Sequence, residues 1–343
     1  MDVLNKREKT ILERIVELYV LTAMPVGSTQ ISQLAGVDLK PASVRRIMAI
    51  LEERGYLYQP HTSAGRIPTT KGYRLYVDHL INPVRIKGAE ARLIIETINS
   101  YDGDLDQFLN RITGVLAKIS HQLGISVKPK FYQSIFERIE LFTISSERIM
   151  AVVMGKDGQA KNFLIETKDR VQPEKLDRIK ETINKRFRGK TLEEIKQSFS
   201  HVMRDLYSER SGLVKLFSKM AERMFDFSRY ENYTLNGTRY ILDQPEFTDI
   251  NQFSTLISLL EDKNIIIYFM GKREQPPGIR VTIGDEHTEN QIQTCSVITS
   301  TYKIGDVAGV LGLIGPTRMA YHKIIPLVDF TATAITERIN TVS

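Results

Sequence analysis

The stretch "VGSTQISQLAGVDLKPASVRRIMAILEERGYLYQPHTSAGRIPTTKGYR", residues 26 to 74, constrains the fold of this chain more than any other part. Its punctuation leaves few readings. Ser28 is a candidate N-cap for a short helix through Ala35, with Gly36 as its stop. Pro41 then sits at a first-turn position, where its missing N–H costs little, and opens a helix that Gly55 ends. "YLYQ" reads as a short strand, a polar turn follows, and Thr69 caps a helix whose Tyr73, Tyr76, Val77 and Leu80 share one face. Upstream, Ile11, Ile15 and Leu18 mark an amphipathic helix within residues 5 to 21. Helix, helix, turn, helix, strand and turn, in that order, describe a winged helix-turn-helix.

Successive helical residues step about 100° around the axis. Val44, Ile47, Met48 and Leu51 therefore gather on one side of the third helix, and Ala42, Arg45, Arg46 and Ala49 on the other. A face of small residues with two arginines can approach a DNA major groove closely, where arginine reaches guanine edges or phosphates. The turn between Pro60 and Pro68 carries His61, Thr62, Ser63 and Arg66, more polar groups than a surface turn needs. They are expected at a wing tip, offered to phosphate oxygens or the minor groove. Charge supports this. Net charge is a modest +6, but Lys40 to Arg74 contains seven basic residues against two acidic, whereas residues 168 to 262 are nearly balanced, 17 against 16.

With 343 residues the chain should hold two or three domains. Beyond "INPVRIKG", a linker, Asp104 opens a helix through Leu123 with Leu105, Phe108, Leu109, Ile112, Val115, Leu116 and Ile119 as its apolar stripe. Residues 135 to 167 turn β-rich, helical patterns run from Pro173 to about Phe227 and from Asp249 to Leu260, and "NIIIYFM", "GIRVTIG", "CSVITSTYK" and "DVAGVLGLIG" read as strands before a last helix from Thr317. Two strand groups around a helical block suggest one antiparallel sheet domain with an insertion.

Catalytic and metal chemistry finds little purchase. Cys295 is the single cysteine, so an intramolecular disulfide and Cys-rich zinc sites are excluded by arithmetic. The six histidines show no H-x-x-x-H or H-E-x-x-H spacing, and there is no nucleophile elbow or Walker-type loop. Gly309, Gly312 and Gly315 read as close backbone packing, with an anion site served by Arg318 as the minor alternative. Asp285, Glu286, His287 and Glu289 read as a solvated acidic loop. No signal-like segment and no uncharged apolar run of about 18 residues occurs, so a cytoplasmic protein with no membrane partner is expected.

"VGSTQISQLAGVDLKPASVRRIMAILEERGYL" with "QPHTSAGRIPTTKGYRLYVDHL" closely resembles the HrcA family of heat-inducible transcription repressors, and "IGDEHTENQIQTCSVITSTYKIGDVAGVLGLIGPTRMAY" resembles that family's second signature. The middle of the chain matches in layout alone. The resemblance implies a winged-helix DNA-binding domain, a GAF-like domain and a dimerising domain inserted in the latter. It also implies a repressor that binds an inverted-repeat operator before chaperone genes, is maintained by the chaperonin and is lost from DNA on heat shock. Two departures stand out. Where the family's recognition helix usually reads I-R-N-D-M, this chain has Val44, Arg45, Arg46, Ile47 and Met48, and its usual P-T-R-M-D-Y has Ala320 in place of the aspartate.

The expected fold class is α+β and multidomain. A winged helix-turn-helix spans residues 1–88, a GAF-like antiparallel sheet domain spans 89–167 and 265–343, and a mainly helical dimerisation domain at 168–264 interrupts it. The expected function is repression as a homodimer on double-stranded DNA, without enzymatic activity, cofactor or metal. The competing reading is a small-molecule-sensing regulator with its ligand in the GAF-like domain. Lys40, Ala42, Ser43, Arg45, Arg46, His61, Thr62, Ser63 and Arg66 are the expected DNA-binding residues. Arg46 faces either a base or a phosphate.

Overall fold

The computed structural model describes residues 4–62, 64–129, 134–156, 160–167, 172–202, 233–247, 278–288, 292–305 and 307–339. It is an α+β protein with antiparallel strand pairing. Backbone proximity divides it into two compact units: Met1–Ser126, Tyr233–Thr301 and Val310–Arg338 form the first, and Val127–Asn232, Tyr302–Gly309 and Ile339–Ser343 the second.

In the first unit, α1 (Lys6–Thr22) begins at Asn5, whose side chain accepts from the Glu8 N–H while the Glu8 carboxylate accepts from the Asn5 N–H. Two donors that a helix start leaves orphaned are thereby satisfied. Ile11, Leu12, Ile15 and Val16 are its buried face. α2 (Ser28–Ser32) is shorter than expected, and Ser28 is its first helical residue rather than its cap, because Gln30 Oε1 already holds the Gly27 N–H at 2.7 Å. Gly36, at φ +83°, turns the chain toward α3 (Pro41–Glu53), which starts at Pro41 as expected. Two strands follow, β1 (Leu57–Tyr58) and β2 (Ile67–Pro68), antiparallel with Leu57 opposite Pro68 and Tyr58 opposite Ile67. Thr69 then caps α4 (Thr70–Leu75): its hydroxyl accepts from the Gly72 N–H and donates to the Gly55 carbonyl. α4 continues as a wider helical turn, Tyr76–Leu80, closed by Ile81 N–H to Tyr76 O at 2.9 Å.

After the extended segment 81–87, α5 (Gly88–Asn99) leads to α6 (Leu105–Ser120), whose Asp104 cap accepts from the Gln107 N–H. α6 ends at Ser120, short of the expected Leu123. His121 adopts a left-handed conformation, φ 54°, and Leu123, the expected helix end, instead begins strand β3 at residues 123–127. β3 lies in a five-stranded sheet of order β7 (Tyr233–Asn236), β3, β10 (Val307–Pro316), β9 (Cys295–Ile304), β8 (Ile279–Ile283). α6 rests directly on β3. A Cβ at Gly124 would lie 2.5 Å from the Thr113 carbonyl oxygen, and the Thr113 hydroxyl bonds Ser126 Oγ at 3.0 Å in the core. A helix at Tyr321–Ile339 supplies the last part of this unit, through Arg338, and Tyr321 packs its ring 5.9 Å from that of Tyr73 on α4.

The second unit contains a three-stranded antiparallel meander, β4 (Phe136–Ser145), β5 (Arg148–Gly155) and β6 (Ala160–Glu166). One face of it carries Phe136, Ile139, Leu141, Ile149, Ala151, Val153 and Ile165, all buried. α7 (Pro173–Phe187) packs on β4, and its Asn184 side chain pairs with both main-chain groups of Ile139 at 2.7 and 3.1 Å, covering a strand edge. Within the helical stretch expected from Pro173 to about Phe227, Gly189, φ +83°, separates α7 from α8 (Leu192–Val202), whose Phe199 stacks on Phe187 at 5.3 Å. The expected helices at 203–227 and 249–260 and the strand "NIIIYFM" lie outside the described residues.

The units divide at different places from the domain boundaries drawn on the sequence. Strands 136–166 pair with one another and group with α7 and α8, whereas β3 and β7, at 123–127 and 233–236, are neighbours in the other sheet. Period-two hydrophobicity identifies a strand but is silent on its partner.

Candidate nucleic-acid interface

α3 presents two chemically distinct faces. Val44, Met48 and Leu51 are buried, Ile47 is half-buried, and Ala42, Ser43, Arg45, Arg46 and Ala49 are exposed. Lys40, the residue before the helix, is exposed as well, and its carbonyl accepts from the Ser43 and Val44 N–H groups. The outward surface thus offers small side chains flanked by long cations, next to a helix N-terminus that itself favours anions.

Internal contacts separate the seven basic residues of this region into two groups. Arg54 pairs with Glu8 at 3.3 Å, Arg66 with Glu52 at 2.7 Å, and Arg74 with Glu286 and Asp78. Lys71 donates to the Arg54 carbonyl at 2.8 Å, capping the end of α3, with its ammonium 4.4 Å from the centre of the Tyr56 ring. Among the described residues no carboxylate pairs with Lys40, Arg45 or Arg46. These three cations lie at the N-terminal cap and in the first half of α3.

The loop between β1 and β2 is tightly organised. Gln59 Nε2 donates to the carbonyls of Thr62 and Ala64 at 2.8 and 2.9 Å, drawing the loop into a compact turn with His61 and Thr62 exposed. Ser63 lies outside the described residues. Arg66 is not at the tip. Its backbone exchanges both hydrogen bonds with Val26, at 2.8 and 2.9 Å, and its side chain, 20% exposed, reaches back to α3. Gly65 is required there, because a Cβ would stand 2.4 Å from the Val26 backbone. Sequence reasoning overlooked Tyr58, 46% exposed on β1 beside buried Leu57. Two-residue alternation on the strand was its one signal.

Two other candidates resolve differently. Arg318 is engaged by groups of the chain itself. Its guanidinium donates to both carboxylate oxygens of Glu246 (2.6 and 3.2 Å), to Gln244 Oε1 (3.0 Å) and to the Val20 carbonyl at the end of α1 (2.9 Å). The nearby glycines do mark close packing: a Cβ on Gly312 would meet the Ile298 carbonyl oxygen at 2.3 Å. Glu289 lies outside the described residues, and the acidic stretch before it, 285–287, is not simply solvated. Glu286 takes two hydrogen bonds from Arg74 and one from the Ile283 N–H, and His287 is 3% exposed, with burial holding its pKa down at about 4. No described helix is long and apolar enough to cross a membrane.

A family model described as the HrcA protein C terminal domain matches residues 106–325. The chain is 36% identical over 339 residues to the heat-inducible transcription repressor HrcA of Geobacter sulfurreducens, with 97% of each chain covered. The chain belongs to the HrcA family of heat-inducible transcription repressors. It is also 34% identical over 343 residues to the heat-inducible transcription repressor HrcA of Syntrophobacter fumaroxidans, with 98% of each covered. A crystal structure described as that of a hypothetical protein at 2.2 Å resolution superposes with a TM-score of 0.61 at 21% identity, covering 99% of this chain and all of that one, which shows a shared fold. The departures from the usual HrcA recognition helix fall on both sides of α3: Arg46 is exposed and Ile47 half-buried.

Proposed function

We propose that this HrcA-family chain is a cytoplasmic repressor of chaperone genes that binds an inverted-repeat operator as a homodimer and is released on heat stress. Its reading head is a winged helix-turn-helix within residues 1–88. The observation that carries this reading is the set of three exposed cations, Lys40, Arg45 and Arg46, that no carboxylate among the described residues pairs, on a small-residue face at the start of a helix adjoining a structured polar loop. Ala42, Ser43 and Ala49 let the helix backbone approach base edges, while Arg45 and Arg46 reach guanine or phosphate. Lys40 meets a phosphate beside the helix start. His61, Thr62 and Ser63 supply the wing's contacts to the sugar–phosphate backbone, which fix register rather than sequence.

The sheet of the first unit takes the GAF-like role and the inserted second unit the dimerising one, with a chaperonin maintaining the active form. Dimeric helix-turn-helix heads read half-sites separated by whole helical turns. Selection of bound duplexes from random DNA by the full-length protein tests this. Enrichment of an inverted repeat with that spacing, and its loss on warming, is expected. No enrichment, or a recovered site without two-fold symmetry, would refute it.

A further inference from the structure

We propose that Arg66 and Glu52 form a positioning pair that sets the wing against the recognition helix, and that Arg66 is not a phosphate contact. The inference rests on the DNA-binding reading above. Arg66 Nε donates to Glu52 Oε2 at 2.7 Å, with the side chains 20% and 34% exposed. A guanidinium joined to a carboxylate presents almost no net charge to a phosphate, since the two fields largely cancel. Glu52 is otherwise a poor choice of residue. It stands in the last turn of α3, where the helix dipole disfavours an anion, on an element meant to approach a polyanion. Holding Arg66 accounts for it.

The neighbouring contacts turn that pair into a hub. The Arg66 backbone is bridged to Val26, just before α2, through N–H to O at 2.8 Å and O to N–H at 2.9 Å. Gly65 presses against the same Val26 backbone so closely that no side chain fits. Gln59 ties the tip through Thr62 and Ala64. One residue therefore links the loop to the start of α2 by its main chain and to the end of α3 by its side chain. His61 and Thr62 are held at a fixed offset from the exposed face of α3, so their ordering is not left to the moment of binding.

The test measures affinity and its salt dependence for the full-length protein on the duplex recovered by selection and on a random duplex of equal length. Arg66→Ala, Arg66→Lys and Glu52→Gln are compared with wild type. Each phosphate contact adds about 0.9 to the slope of log K against log salt. Positioning predicts that all three variants lose about tenfold on the selected duplex, much less on the random one, with an unchanged slope. Glu52→Gln is decisive, because removing an acid beside DNA would on charge alone tighten binding. The charge swap Glu52→Arg with Arg66→Glu should recover part of the loss. If Arg66→Ala fails to fold, the milder Arg66→Lys and Glu52→Gln carry the test. Arg66→Ala losing about one unit of slope, Arg66→Lys binding like wild type, or Glu52→Gln binding as tightly or more tightly would each overturn this inference alone. Failure of the wild type to select any duplex overturns the repressor reading instead.

Discussion

Replacing Arg318 with methionine removes the cation of a well-connected, largely buried ion pair in the first unit while keeping most of its apolar stem. The side chain is 11% exposed and its partner Glu246 23% exposed. Four hydrogen bonds disappear: two to Glu246, one to Gln244 and one to the Val20 carbonyl. Breaking a fully buried pair by deleting one member costs about 3–5 kcal/mol, because the remaining charge stays desolvated. Glu246 is partly wet, so water recovers some of that, and about 2–3 kcal/mol is expected for Arg318→Met. Against a total stability of about 5–15 kcal/mol this is a large share. At about 2–4 °C per kcal/mol for a unit of this size, Tm should fall by roughly 4–12 °C. Thermal unfolding followed by circular dichroism measures the fall, and hydrogen exchange should report earlier opening at the end of α1, whose Val20 carbonyl loses its donor. A cycle with Glu246→Gln should give a coupling energy of about 1–2 kcal/mol. A Tm change below about 1 °C, or a coupling near zero, would refute the reasoning that this guanidinium is committed to internal contacts.

Gly65→Ala should weaken binding to the selected duplex about tenfold and cost about 1–3 kcal/mol by forcing the loop off Val26; wild-type affinity and denaturation midpoint would disprove the close-approach argument. His287 is held neutral by burial, with its pKa down at about 4 against about 6.5 in the unfolded chain. Above pH 6.5 it is neutral in both states and contributes nothing to the pH dependence; as pH falls toward 4 the unfolded chain takes up the proton first, so stability drops by up to about 3 kcal/mol. His287→Gln should flatten that part of the stability profile measured by urea unfolding, and an unaltered slope would rule His287 out as its source. Arg46→Asn, assayed on a panel of single-base variants of the selected site, should change preference at one position by about 1–3 kcal/mol if Arg46 reads a base; parallel losses across the panel would assign it to phosphate.

Much of the candidate interface was legible because helical periodicity is local. The step of about 100° per residue separates Val44, Met48 and Leu51 from Ala42, Arg45 and Arg46 without knowledge of any other segment, and the structure buries and exposes them accordingly. Pro41 at the start of α3 and Asp104 before α6 are likewise signals contained within one turn. Family membership is also a property of the sequence itself, carried by motifs at both ends of the chain.

Tertiary structure decided which charges remain available and which strands pair. Arg45, Arg54 and Arg66 are alike as letters, yet Arg54 finds Glu8 at a separation of 46 residues, Arg66 finds Glu52 at 14 and Arg74 finds Glu286 at 212. No periodicity encodes such meetings; they depend on where packed elements deliver a carboxylate or a carbonyl, and among the described residues they engage four of the seven cations and leave Lys40, Arg45 and Arg46 without a carboxylate. Strand membership follows the same logic. Leu123 reads as the last helical residue of α6, but the left-handed His121 and the neighbouring β7 and β10 place it in a sheet. A backbone that must satisfy its hydrogen bonds takes the partner the fold supplies, and that partner is chosen by contacts made far along the chain.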